Sequence, residues 1–564
     1  MFPIHCYWMP LANQIANVYL RKDPMKDFRL QKLVPGLLAI MAYMVVDSVT
    51  WGEDWYQAAG PNGNFQVRQA APSDWSVVQQ RNIAWKLTLP ETGQSTPVVC
   101  NDRVFFTTYE EVREDSKLGN NIVAWCVHVR NGRVLWKRDI PGKYPLRLSG
   151  CFGDSTSPPA VCDGERVVFI NASGRIACFD LKGKPLWTRE ILSVNRTQPF
   201  LLDGKFVFTR QVYPPEPNGV FPHKYADAPP EMWTQLQALD IQTGDEIWTT
   251  KCGVNMGNSI VPQQLRDGRD VAVVGRGGGH GPPEKPAGVS LVNLAAGSPI
   301  WTLPLEGFMS TASYCLYKNN VCLFHQGDHL TVAGETGEIL NKVSIIMNIP
   351  TKVYGGEIPP NFSADLRLGK NKRMITQTSN LLVGKYHYFR SYVRPWLGRV
   401  NVETGDVEYL ELPLQIDARV GKEDEYLYYD QSKDAKPLKL QTVKPNSMKN
   451  SRGFKVFGDQ RSQGSGWGHI ASSTPTVAGR YLYLPVINGT VFVIDWNVDS
   501  LDQRAVVDIN DLGPAGESYH RASLSIVDGQ LFAHTIRELI CCLLYTSDAA
   551  DEGLGVDLGG RRII

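Results

Sequence analysis

The sequence predicts an all-β protein, an eight-bladed β-propeller of four-stranded antiparallel blades, with seven blades as the alternative. Three observations carry this: a hairpin that recurs with a terminal Trp, a second hairpin before each copy, and an orphan strand near the N-terminus. The recurring hairpin reads "VAWCVHVRNGRVLW" to Trp136, "RIACFDLKGKPLW" to Trp187, "LQALDIQTGDEIW" to Trp248 and "VSLVNLAAGSPIW" to Trp301. Gly132, Gly183, Gly244 and Gly297 each precede their Trp by four residues. Such a Gly supplies the positive φ of a tight turn, and the flanking β-branched and aromatic residues suit a pleated surface. Weaker copies follow as "LTVAGETGEIL", "GRVNVETGDVEYL" and "NGTVFVIDWN".

The preceding hairpin appears eight times, from "STPVVCNDRVFFTT" to "RASLSIVDGQLFAH". Two hairpins make a four-stranded sheet, and Trp spacings of 51, 61 and 53 residues fit a blade period of about 50. Eight hairpins of one kind and seven of the other leave the last blade incomplete. "RNIAWKLTLP" at residues 81–90 matches "VLWKRDIP" and "PIWTLPL", so this early strand is expected to complete the last blade beside the strand that begins "RELIC". Closing a ring in this way removes the exposed sheet edges that invite aggregation.

The segment "ALDIQTGDEIW" resembles the pyrroloquinoline-quinone-type (PQQ-like) propeller repeat, and the resemblance spans residues 81–541, with the last blade truncated. It implies that the repeated Trp docks between neighbouring blades, a role that falls to Trp85, Trp136, Trp187, Trp248 and Trp301. Asn341 and Tyr409 hold that position in weaker copies. Upstream, "WGEDWYQAAGPNG" in the Trp-rich leader, residues 49–80, is similar to the leader of exported bacterial proteins in this family. The family includes quinoprotein dehydrogenases, which bind PQQ with calcium. It also includes non-enzymatic binding propellers such as the outer-membrane assembly lipoprotein of the Bam complex. Fold alone does not choose between them.

Residues 25–48 have the parts of a signal peptide: Lys26, Arg29 and Lys32, an apolar run over Leu33–Val46, and small residues at its end. That run is short for a membrane span. Residues 1–24 read as a mis-assigned upstream start, and the expected location is periplasmic or extracellular. At the other end, "CLLYTSDAADE" and "VDLGGRRII" look like a translated sequencing adapter, so 542–564 is expected to be an artefactual tail. On that reading Cys541–Cys542 is no vicinal redox pair.

Lys and Arg number 58 against 57 Asp and Glu, which argues against nucleic acid as a partner. The one basic stretch, Lys433–Lys455, is broken by Pro and Ser and reads as a solvated loop. No Cys-x-x-Cys-His haem signature is present. The Gly-rich run Gly275–Pro286 lacks the Lys-Ser/Thr ending of a phosphate loop, and its His280 stands alone. Ser462–Gly468, "SQGSGWG", only superficially resembles a nucleophile elbow. Cys100 and Cys162 occupy equivalent places and read as small buried residues, whereas Cys315 and Cys322 flank a turn and are candidates for a disulfide.

Loops entering the innermost strands line one mouth of a propeller channel. Their exposed residues are expected to include Gln94, Asp154, Asn258, Trp467, His469, His520 and Arg521, with capping of strand ends by Ser and Thr as the plainer role. The expected function is an exported, non-catalytic scaffold that binds proteins or envelope components and needs no cofactor. The alternatives are a PQQ- and calcium-dependent dehydrogenase of alcohols or sugars, and a polysaccharide-binding module.

Overall fold

The computed structural model describes residues 54–544 apart from connecting segments, chiefly 112–117, 148–157, 212–216, 218–232, 254–259, 278–284, 307–314, 355–362, 365–374, 414–416, 430–436, 443–472 and 514–517. Eight antiparallel blades follow one another, with no α-helix among the described residues. Blade 1 comprises, from the channel outward, Val98–Cys100, Arg103–Tyr109, Ile122–His128 and Val134–Ile140. Blades 2 to 7 occupy 161–190, 200–249, 263–304, 315–344, 375–411 and 476–511. Blade 6 carries an extra outer strand, Ile349–Val353, parallel to Val407–Glu411. The insertion after blade 6 holds a small sheet of its own, with strands Asp417–Arg419, Lys422–Tyr429 and Pro437–Thr442.

Blade 8 joins the two ends of the propeller. Ser525–Val527, Gln530–His534 and Glu538–Leu543 are completed by Ile83–Thr88, with Trp85 opposite Cys541 and Leu87 opposite Leu539. The early strand therefore closes the ring as its pattern predicts. Cys541 and Cys542 are fully buried in this last strand, facing Phe532 and Leu531. The signal-like segment and residues 545–564 lie outside the described residues.

The docking of the repeated Trp explains why its turn needs Gly. Trp85 of blade 8 donates its indole N–H to Val129 O of blade 1 at 2.9 Å. Trp136 donates to Leu181 O at 3.0 Å, Trp187 to Ile241 O at 3.0 Å and Trp301 to Gly334 O at 2.8 Å. Trp248 is the exception, its N–H finding no partner among the described residues. Each ring lies beneath the turn Gly of the next blade, so a Cβ on Gly132, Gly183, Gly244 or Gly297 would sit 2.4–2.8 Å from an indole carbon. These glycines have φ between +65° and +82°. The Gly therefore meets two demands at once, a left-handed turn and contact with an indole face.

The weaker copies pack differently. Asn341 is exposed, and Gly405 of blade 6 rests on Val343 instead of a Trp. Tyr409 is fully buried and donates its hydroxyl to Ile345 O at 2.6 Å. Nearby, Arg399 forks onto Glu408 Oε2 at 2.9 and 2.6 Å and donates to Val498 O and Asp499 O, joining blade 6 to the connection within blade 7.

Candidate functional site: the two mouths of the channel

Each innermost strand runs from the entering loop at one mouth to a tight turn at the other. Its channel edge would carry unpaired N–H and C=O groups, and buried groups of that kind need partners. At the turn-side mouth the leader supplies them. Val99 N of blade 1 donates to Trp55 O at 3.0 Å, and Asn101 N to Asp54 Oδ2 at 2.8 Å. Cys162 N of blade 2 donates to Tyr56 O at 2.8 Å, and Leu201 N of blade 3 to Gln57 Oε1 at 2.7 Å. Gly63 sits on Pro262 at the entry to blade 4, where a Cβ would come within 2.8 Å of its Cγ.

The leader then turns towards the later blades. Gln66 Nε2 donates to Leu382 O of blade 6 at 2.8 Å, while Gln66–Val67 pairs in parallel with Val477–Ala478 of blade 7. Gln69 grips blade 8 with both ends of its amide, donating to Ile526 O at 3.0 Å and accepting from Asp528 N at 3.1 Å. Trp55 and Phe65 are fully buried, so the segment is built into the core. Leaving the channel, it is pinned by Asn510, which accepts from Trp75 N, and by Asp511, which accepts from Ser76 Oγ and Val78 N. Burial raises the Asp511 carboxyl above its ordinary value against these hydrogen bonds. Between the leader and the inner strands of blades 4 to 6 remains a cavity of about 170 Å³ lined by Asn64, Gln66, Gln263, Leu316, Asn380 and Leu382.

Of the residues expected to line the loop-side mouth, Gln94, Asp154, Asn258, Trp467 and His469 lie outside the described residues. Arg521 is half-buried. His520, expected to be exposed, is only 1% exposed, because its N–H donates to Ile487 O of blade 7 at 2.9 Å and its backbone bridges to Thr535 of blade 8. Burial lowers its imidazole to about 4, and neither ring nitrogen finds a hydrogen-bond partner among the described residues.

Hydroxyls at this mouth join neighbouring blades. Thr96 Oγ1 accepts from Ser523 N at 3.1 Å, Ser523 Oγ donates to Thr474 O at 3.1 Å, and Thr476 Oγ1 donates to Leu524 O at 3.0 Å. His534 Nδ1 lies 2.9 Å from Ser95 O, and burial lowers its imidazole to about 3. Between blades 5 and 6, His329 Nε2 and His387 Nδ1 are 3.1 Å apart against Phe324, and burial lowers His329 to about 4. Among the described residues no three His, Cys, Asp or Glu side chains converge as metal ligands, and no helix is long and apolar enough to cross a membrane.

Residues 118–250 match the family model described as outer membrane protein assembly factor BamB. The resemblance to the PQQ-like propeller repeat holds across this stretch, which runs from blade 1 to the outer strand of blade 3. No curated protein matches the chain. Among solved structures, the chain is similar to a quinohemoprotein alcohol dehydrogenase from Comamonas testosteroni, at 11% identity over 90% of this chain and 84% of that one, TM-score 0.48. A europium-containing methanol dehydrogenase matches at 13% identity over 85% and 89%, TM-score 0.48. BamB from Moraxella catarrhalis matches at 13% identity over 68% and 93%, TM-score 0.35. These likenesses are of fold.

Proposed function

We propose that this chain is an exported, non-catalytic propeller that presents the loop-side face of its ring to proteins or other envelope components. One observation carries the reading: at both mouths, side chains among the described residues form hydrogen bonds that join blade to blade or leader to blade. The leader occupies the turn-side edges, and Ser, Thr and His side chains stitch blades 1, 7 and 8 at the other end. His520 and His534 are buried and lowered to about 4 and about 3, far from the value a general base needs near neutral pH. The match to the BamB family model supports a binding role.

A calcium–quinone site would need several hard oxygen ligands and a carboxylate placed as base. Glu91, fully buried beside blade 1, accepts from the N–H of Thr92, and no ligand cluster accompanies it among the described residues.

The test has two arms. Adding PQQ and calcium should leave the thermal midpoint unchanged and produce no dye reduction with alcohols or sugars; a clear stabilisation with turnover would establish the dehydrogenase instead. A photo-crosslinking residue at position 521 should form adducts with another envelope component, whereas one at the turn-side position 102 should not. Equal labelling at both positions would refute the assignment of the face.

A further inference from the structure

Away from the loop-side mouth, the innermost strands of blades 1 and 2 end in cysteines at equivalent places, Cys100 in "PVVC" and Cys162 in "PAVC". Both are fully buried in one apolar cluster with Phe105 and Phe169, and both are free thiols. The strand ends that carry them, Val98–Cys100 and Val161–Cys162, pack against each other between the two blades. Their turns are tied together as well. Asn101 Nδ2 lies 3.8 Å from Cys100 Sγ and 3.4 Å from Gly164 O, while Gly164 N donates to Cys162 Sγ at 3.4 Å. The leader covers the pair, with Trp55 bridged to Val99 and Tyr56 O holding Cys162 N.

We infer that Cys100 and Cys162 form an inter-blade disulfide when the chain folds in an oxidising compartment, before the leader seals the site. The inference rests on the export reading only for where it happens, because structural disulfides persist in oxidising surroundings. In the chemistry, one cysteine thiolate attacks a disulfide such as oxidised glutathione, forming a mixed disulfide and releasing one glutathione thiolate. The second cysteine thiolate then attacks the protein sulfur of that mixed bond. The Sγ–Sγ bond forms, a second glutathione leaves, and the two protons and two electrons lost by the protein reside on the two glutathiones.

Once the leader is in place the site resists exchange. Burial pushes the Cys162 thiol well above its ordinary value, leaving little thiolate to react. Cys315 and Cys322 differ in kind: they face each other within one hairpin, so a bond between them would tie nothing beyond that hairpin. A Cys100–Cys162 bond would instead clamp two blades.

The full chain is denatured, refolded in a defined glutathione redox buffer, alkylated under denaturing conditions, and digested for mass spectrometry. The expected result is a cross-linked peptide pair holding Cys100 and Cys162, two hydrogens lighter than the reduced pair, together with a higher urea midpoint before reduction than after. Cys100→Ala should leave Cys162 alkylated; should that variant fail to fold, Cys162→Ala provides the reciprocal reading, and Cys322→Ala should leave the link intact. Recovery of both cysteines as alkylated thiols from unreduced, refolded protein would overturn the inference, as would a link from either to another cysteine. Free thiols in protein taken from cells, with the link forming on refolding, would count against export and leave the pair standing.

Discussion

Blade 3 contains two turn glycines that separate backbone strain from packing against the docked Trp. Gly204 has φ +72° and a Cβ there would meet nothing within 4 Å; Gly244 has φ +74°, but its Cβ would lie 2.7 Å from Cδ2 and Cε3 of Trp187. Alanine at either position incurs the left-handed penalty of about 1–2 kcal/mol. At Gly244 an overpacking cost of about 1–3 kcal/mol is added, because the blade must move off the indole that donates to Ile241 O. Gly204→Ala should therefore lose about 1–2 kcal/mol and Gly244→Ala about 2–5 kcal/mol. Equilibrium urea unfolding monitored by Trp fluorescence and circular dichroism measures both. Adding Trp187→Leu to Gly244→Ala makes room for the new methyl, so the double variant should lose less than the sum of the singles, with a coupling of about 1–2 kcal/mol. Equal losses at the two glycines, or strict additivity in the double variant, would show that the indole contact does not select Gly.

Three further outcomes follow from the same contacts. Trp55→Ala removes a fully buried indole that donates to Ala58 O under blade 1 and should cost about 3–5 kcal/mol by urea unfolding; a loss below 1 kcal/mol would mean the leader is not part of the folding unit. Arg399→Ala strips the fork from Glu408, which keeps Lys352 on its other oxygen, and leaves the carbonyls of Val498 and Asp499 without their donor; it should cost about 1–3 kcal/mol, a loss that Lys, lacking the fork, restores only in part. The acid limb follows from His329, His520 and His534, whose folded values of about 4, 4 and 3 lie below the unfolded value, so the unfolded chain binds more protons. Their contribution is complete above about pH 6.5 and is lost as pH falls towards 4; from pH 7 to 5 each loses about 1.8 kcal/mol, about 5 kcal/mol together. A urea midpoint unchanged between those two pH values would contradict the neutral, buried imidazoles.

Much of the fold was legible because each hairpin is encoded by residues close in sequence. The Gly-x-x-x-Trp spacing marked the turn and the docking ring together, and the unpaired "RNIAWKLTLP" announced the closing strand. The pairing of Cys315 with Cys322 across their turn could be read in the same local way. His520 could not: its exposure depends on the approach of Ile487 and Thr535, which belong to two different blades.

The sequence by itself determined the repeat and the means of closure and favoured eight blades over seven, because turn φ, strand alternation and the docked Trp are short-range demands. Only the tertiary structure decided what the leader does. Gln57, Gln66 and Gln69 answer backbone groups 144, 316 and 457 residues away, at Leu201, Leu382 and Ile526. Contacts at such separations leave no periodic trace in the chain. They exist because closing the ring brings eight inner edges around one channel, and the leader occupies that channel's turn-side mouth.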